Sequence, residues 1–428
     1  MRRVGSALRG RPRLPARLSP RRARVLALLG LLGPGLIAAN AGNDAGGIAT
    51  YSSVGAKYGY GLLWMLVLIT VSLAIVQMLA ARMGVVTGKG LAELVREEYG
   101  IRWSVFATVA VLIANMGICI SDFVGVGAAL ELAGIPRQIT VPIVAVVIWM
   151  IIVRGSYRSA ERVFIWLTVP FFAYPIAAIL AHPKWGDVGR AVIAPHIQTS
   201  SAYLLLFIAT AGTTITPYMQ LYLQSAVVER GVREEELRTE QTQAVAGAIF
   251  ADLIAAAIII ATGATLYTHG IHNIGSATDA AKALTPFAGR YAEVLFGVGL
   301  LGASLLAAAI LPIATSYVVS ESLGYEKGVG RGRHEAPVFV MVITAMIAIA
   351  AVVAVIPGIP VISLLIGVQV VNGVLLPINL FFLWRLARSR SLMGEHRLRG
   401  GLDLVTAVTV VVTSTLSLAL VVLTLLGF

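Results

Sequence analysis

Gly42-Asn43-Asp44-Ala45-Gly46-Gly47 and Gly212-Thr213-Thr214-Ile215-Thr216-Pro217 interrupt two long apolar runs, and their reading decides the fold. A carboxylate and clustered glycines are costly inside hydrocarbon, so they mark a path for an ion or polar substrate. Around them, 428 residues with 58% hydrophobic and 13% charged side chains carry more apolar surface than a soluble core can hide. About eleven stretches are apolar enough to cross roughly 30 Å of hydrocarbon. The expectation is an all-α integral membrane protein, multi-pass in the cell (plasma) membrane.

The net charge of +12 does not imply nucleic acid, because the basic residues are sorted by side. With the N-terminus cytoplasmic, only six of the 33 Lys and Arg fall outside: Lys57, Arg137, Lys184, Arg190, Lys282 and Arg290. The positive-inside rule therefore places the N-terminus in the cytoplasm and the C-terminus outside or in the periplasm. Residues 1–25 hold nine Arg and no acid, which predicts a disordered basic segment attracted to acidic lipids. A single cysteine, Cys119, excludes a disulfide framework or a multi-thiolate metal centre. The glycines of Gly328-Val329-Gly330-Arg331-Gly332-Arg333 sit in a short basic loop and are expected to form a flexible connector rather than a phosphate cradle.

Five spans occupy 26–181, five more occupy 201–384, and a last helix occupies 402–427. An odd number of spans per half makes the second half enter from the opposite side, the topology of an inverted repeat. In each half it is the first helix that carries the break. Glycine lowers helix stability by about 1 kcal/mol relative to alanine, so the chain near Asp44 is expected to unwind and expose carbonyl oxygens beside the carboxylate. In the sixth span, Pro217 lacks an amide proton and its ring collides with the carbonyl four residues back, which frees the Thr213 carbonyl. The hydroxyls of Thr213, Thr214 and Thr216 add further oxygens. Oxygen donors with a carboxylate suit a hard divalent cation such as Mg²⁺, Ca²⁺ or Mn²⁺.

The run Gly33-Pro34-Gly35 through Asp44-Ala45-Gly46-Gly47-Ile48-Ala49-Thr50, with Tyr58-Gly59-Tyr60 and Leu63-Trp64, resembles the first helix of the Nramp divalent-metal transporters. The likeness extends to Ser121-Asp122-Phe123-Val124-Gly125 and Gln369-Val370-Val371. It implies a leucine-transporter-type inverted repeat of five plus five helices, with one extra C-terminal helix. Two departures matter. The proline and asparagine of the family's Asp-Pro-Gly-Asn signature are Ala45 and Gly47 here, and the methionine of its Met-Pro-His signature is Thr216. Loss of a soft thioether removes the preference for Mn²⁺ and Fe²⁺ over Mg²⁺, and the smaller side chains are expected to widen the site for a partly hydrated ion. The pattern is similar to that of the Nramp-related magnesium transporters. Met219, two residues beyond Pro217, is expected to point its sulfur elsewhere.

The expected metal set is Asp44, Gly47, Thr213, Thr216, Gln369 and Asn372, where Gln369 is carried over from the resemblance and Asn372 lies one turn away on a similar face. All six histidines fall in loops or at span ends, and Cys119 stands where proton-coupled relatives have an aspartate. Asp122 is the residual proton-pathway residue. Uptake of Mg²⁺, and also Mn²⁺, without proton coupling is therefore the expectation; a proton-coupled Mn²⁺/Fe²⁺ symporter is the alternative. Gln220 and Tyr222 are expected to line the lower sixth helix, Asp252 to lie near the cytoplasmic end of the seventh span, and Glu131 and Glu321 to be solvated. No catalytic constellation is present, so no enzyme and no cofactor are expected. The partners expected are the cation and the bilayer, with no obligate protein partner evident.

Overall fold

The computed structural model describes residues 42–155, 157–195, 197–198, 200–274, 290–332 and 334–425. The basic segment 1–25 and the start of the first span, with Gly33-Pro34-Gly35, lie outside these residues. No strand occurs among the described residues, and ten helical segments there are long and apolar enough to cross a membrane. They coincide with the second to eleventh spans expected from the sequence.

The helices follow in order: α1 (Ala45–Tyr58), α2 (Leu63–Thr87), α3 (Leu91–Tyr99), α4 (Ile101–Glu131), α5 (Arg137–Arg154), α6 (Tyr157–Leu167), α7 (Ala173–Leu180) and α8 (Trp185–Ile193). The second half continues with α9 (Ser201–Thr214), α10 (Pro217–Glu229), α11 (Leu237–Thr265), α12 (Arg290–Leu323), α13 (Pro337–Ala354), α14 (Val361–Ala387) and α15 (Gly400–Leu425). A central group of α1, α2, α9, α10 and α11 packs against α4, α12 and α14, while α15 leans on α14 and α2. Large apolar side chains such as Leu68, Ile113, Ile143, Leu253, Val352 and Val411 remain exposed on the outer faces, as a lipid-facing surface requires.

Small residues let the broken helices approach closely. A methyl group on Gly55 of α1 would press on the Ile259 carbonyl at 2.6 Å and the Gly263 amide at 3.0 Å, so α1 and α11 touch backbone to backbone. Gly212 of α9 meets the α14 backbone at Gln369 and Gly373 in the same way. Together these contacts hold the two breaks against α11 and α14.

Four expectations are corrected. Asp252 is not near the end of its helix: α11 starts at Leu237, before the apolar run, so position 252 lies at its middle. The polar first turns are helical because Glu240 is anchored by Arg230 at 2.6 Å, a contact that hydropathy alone does not register. Glu321 is 2% exposed rather than solvated, because Lys327 folds back to it at 3.0 Å. The glycine-rich loop is tied down as well: the Val329 amide donates to Glu229 Oε1 at 2.9 Å, and Arg331 pairs with Glu326. Glu131 is only partly solvated and pairs with Arg137 at 2.6 Å.

Candidate cation site at the two helix breaks

Asp44 is the N-cap of α1, and its Oδ1 accepts a 2.6 Å hydrogen bond from the Gly47 amide. An N-cap carboxylate satisfies one of the orphan amides of the first turn and faces the positive end of the helix dipole. The break therefore ends at Asp44. Gly46 and Gly47 are already helical, so Gly47 enters the site through its N–H, which is bonded to Asp44, and not through an unwound carbonyl. A second carboxylate supports the same helix start: the Ala45 amide donates to Asp122 Oδ1 at 3.2 Å. Asn43 Nδ2 donates to the Ala251 carbonyl at 2.9 Å, fastening the break to α11.

In the sixth span, α9 ends at Thr214 and α10 starts at Pro217, with Thr216 as an N-cap that makes no side-chain cap. Proline at the first helical position needs no amide proton there, which is why the chain restarts at that residue. The end of α9 leaves carbonyl oxygens outside the helical ladder. One of them, Gly212 O, accepts from Asn372 Nδ2 at 2.6 Å. The two breaks are also joined directly, because Thr213 Oγ1 donates to Gly42 O at 3.3 Å.

Gln369 of α14 closes the arrangement. Its Nε2 donates to both Asp44 oxygens, at 2.8 and 2.9 Å. That amide occupies the position in which a cation would bridge the carboxylate, and a half turn of the same amide would present Oε1 instead. Asn372 Nδ2 also reaches Gln369 Oε1 at 3.4 Å, while Asn372 Oδ1 is buried with no hydrogen-bond partner. Thr216 Oγ1 is likewise buried and lies beside the Tyr218 hydroxyl. Amide and hydroxyl oxygens are of the type hard cations take.

Asp44, Thr213, Thr216, Gln369 and Asn372 are all fully buried. Hydrogen bonds join Asp44 to Gln369, Gln369 to Asn372 and Thr213 to the Gly42 carbonyl, whereas Thr216 stands at the second break without a hydrogen bond to any of them. The extra room expected at Gly47 is not open: a Cβ there would lie 2.7 Å from Thr213 Oγ1 and 3.0 Å from Gly42 O. The second break has moved into the space that a side chain would have filled. Met219 is buried in the hydrophobic core. Below the site, Asn379 Nδ2 donates to Gln220 Oε1 at 3.2 Å, and Gln224 Nε2 donates to the Lys89 carbonyl at 2.9 Å.

At that end, Ser225 Oγ donates to Glu321 Oε1 at 2.8 Å, and Lys327 Nζ bridges Glu321 and Glu93, each at 3.0 Å. This network pins α10 to α3 and α12. Sequence reading missed it, and it missed Tyr51, whose hydroxyl is 2.9 Å from Thr214 Oγ1. The spacing held a clue, since Tyr51 lies seven residues beyond Asp44 on the same side of α1. At the other end, a cavity of about 460 Å³ is lined by Tyr60, His182, Lys184, Asp187, Tyr267 and Thr268. No described histidine lies in the interior of a transmembrane helix.

The family profile described as "Natural resistance-associated macrophage protein-like" matches residues 35–423. The divalent metal cation transporter MntH of Deinococcus radiodurans is 29% identical over 358 residues, covering 80% of this chain and 79% of its own length. The divalent metal cation transporter MntH of Ralstonia nicotianae is 30% identical over 389 residues, covering 86% and 85%. Among solved structures, the manganese transporter of Eremococcus coleocola superposes with a TM-score of 0.71 at 20% identity, over 95% of this chain and 88% of that one. MhsT in complex with L-phenylalanine gives 0.63 at 13% identity, over 92% and 98%.

Proposed function

The chain belongs to the Nramp family and has the leucine-transporter type of fold, and on that premise we propose that it carries divalent cations inward by alternating access, with Mg²⁺ as main cargo, Mn²⁺ also carried and no proton coupled. The observation that carries the choice of Mg²⁺ is Thr216, a fully buried hydroxyl immediately before Pro217 at the second break, beside the Tyr218 hydroxyl. A hydroxyl is a hard donor, and the place holds no thioether to favour a softer metal. Asp44 supplies the charge, Thr213 and Thr216 supply oxygens, and Gln369 and Asn372 turn carbonyl oxygens inward as the ion arrives. Gly47 acts by letting the two breaks approach. MntH relatives that match most of the chain support the divalent class.

The repeats are taken as 26–181 and 201–384, with the N-terminus cytoplasmic as the basic residues direct. An inside-negative potential then contributes about 2.3 kcal/mol per charge for each 100 mV, which suffices for uncoupled uptake of a divalent ion. The competing reading is a proton-coupled Mn²⁺/Fe²⁺ symporter, and the feature in its favour is Asp122, whose Oδ2 is buried without a hydrogen-bond partner. Proteoliposome uptake of Mg²⁺, Mn²⁺ and Ca²⁺ with a lumenal pH dye separates the two. Mg²⁺ uptake at constant lumenal pH is expected. Acidification in step with the ion, or indifference to millimolar Mg²⁺, would overturn the proposal.

A further inference from the structure

From Asp44 toward the end that the basic residues assign to the exterior, three helices close over the site, and contacts at the site's own level fix their register. Gly46 of α1 lies against the Gln369 side chain of α14. A methyl group on Gly125 of α4 would meet both Ala45 of α1 and Ser304 of α12 at 2.5 Å. From this level α1 runs outward, whereas α12 and α14 run toward it. One turn out therefore places Ile48, Leu300 and Leu365, and two turns out Ser52, Phe296 and Ile362. All but Ser52 are apolar, and none of the six is more than 7% exposed. Together they line one narrow void with about 10 Å³ of room for a water's centre.

Ser52 Oγ is buried in this plug without a hydrogen-bond partner. A hydroxyl on a helix ordinarily returns its proton to the carbonyl four residues back, as Thr50 of the same helix does to Gly46 at 2.7 Å. Ser52 makes no such bond and borders the void instead. An unpaired buried hydroxyl is costly, and an apolar side chain would fill the place without that cost. The void is large enough for about one water, which gives the hydroxyl a means of holding water between apolar walls. The closure on the other side of Asp44 has the opposite chemistry. There Ser225 donates to Glu321 at 2.8 Å, and Lys327 bridges Glu321 and Glu93.

We propose that these six residues form the outer gate of the ion path, and that Ser52 is its polar foothold, positioning the water shell of a cation on its way to Asp44. With the gate shut, apolar walls exclude water and oppose return of the ion to the exterior. When α1 parts from α12 and α14, a hard cation that sheds water reluctantly finds one oxygen partner where the walls offer none. Ser52 lies eight residues beyond Asp44, a rise of about 12 Å, so the two act in sequence. A residue met in transit sets the rate of entry and leaves the affinity of the Asp44 site unchanged. The inference rests on the divalent-cation reading above and gives that path its outer end.

Initial rates of Mn²⁺ uptake into proteoliposomes, paired with calorimetric Mn²⁺ binding to the full-length protein in lipid nanodiscs, test the role. Ser52→Ala should lower uptake by about fivefold while its dissociation constant stays within about twofold of the wild type. Ser52→Thr keeps the oxygen and should hold uptake within about twofold. The path itself is tested in intact cells with a membrane-impermeant thiol reagent, in a Cys119→Ser background. Ser52→Cys should react from outside, whereas Val54→Cys, as deeply buried and about 200° further round α1, should not. Normal uptake in Ser52→Ala, a dissociation constant that weakens in step with its uptake, or a Ser52→Cys as unreactive as Val54→Cys overturns the gate. Any of these beside wild-type uptake sinks this inference alone, whereas absence of divalent uptake in the wild type sinks the transport reading as well.

Discussion

The two breaks are finished in opposite ways. At the first, both Asp44 oxygens are engaged, by Gly47 N and by Gln369 Nε2. At the second, Asn372 of α14 holds the Gly212 carbonyl with its amide nitrogen while its Oδ1 is buried without a hydrogen-bond partner, and Thr216 Oγ1 is buried beside the Tyr218 hydroxyl. The charge is held by a donor that can turn away, while the neutral amide oxygen stands uncommitted. Loading then amounts to exchanging one amide donor for an ion, without building a site from separate parts. Substitutions on the two sides should therefore have different signatures.

The largest effect belongs to the charged side. Asp44→Ala removes the full charge at the breaks and leaves the Gln369 donor buried without its acceptor. Uptake should fall by about a hundredfold or more, equivalent to about 3 kcal/mol of ion stabilisation. Initial rates of Mg²⁺ and Mn²⁺ entry into proteoliposomes measure this, and substantial residual uptake would place the ion elsewhere.

Gln369→Leu tests whether the amide stands in for the cation. It deprives Asp44 of both side-chain hydrogen bonds, so the metal-free protein should lose about 1.5–3 kcal/mol of stability. The ion can replace what was lost, so added Mn²⁺ should raise the melting temperature of this variant by more than it does in the wild type. An equal metal-induced shift in the two proteins would show that Gln369 does not hold the place of the ion.

On the neutral side, Thr216→Met restores a soft donor beside an unchanged carboxylate. The ratio of Mg²⁺ to Mn²⁺ uptake should drop by about tenfold, chiefly through weaker Mg²⁺ transport. Competition of unlabelled Mg²⁺ against Mn²⁺ uptake reads the ratio directly. No change in it would remove Thr216 from the basis of selectivity.

What the sequence made legible follows from what is local. Pro217 breaks a helix wherever it stands, and a glycine cluster beside Asp44 loosens one, so both interruptions and the spans around them were visible in the chain itself. Gln369 was reachable only through resemblance, because nothing in its own span marks it as facing Asp44. The closing of space at Gly47 was illegible: Thr213 enters from 166 residues further along the chain, as the numbering gives it. Asp252 and Glu321 were misplaced for a related reason. Hydropathy ends a span at its polar turns, whereas Arg230 and Lys327 make those turns part of the packed structure.

The smallest effect lies away from both breaks, where α10 is locked at its far end. Lys327 bridges Glu93 and Glu321 and is itself 24% exposed, so solvent screens part of what it contributes. Lys327→Met should shift the closed state toward the cytoplasm-open one by about 1 kcal/mol, well below the value for a fully buried pair. In a Cys119→Ser background carrying Ala226→Cys, a membrane-impermeant thiol reagent applied from the cytoplasmic side should label several times faster. Burial opposes the charge on Lys327, but Glu321 and Glu93 outweigh it and hold its pKa above the usual lysine range. A raised pKa contributes fully below the unfolded lysine value and is lost only as pH rises through the folded one. The lysine's part of the lock should thus stay constant from about pH 6 to about pH 9, so the difference in labelling rate between the variant and its parent should not narrow across that interval.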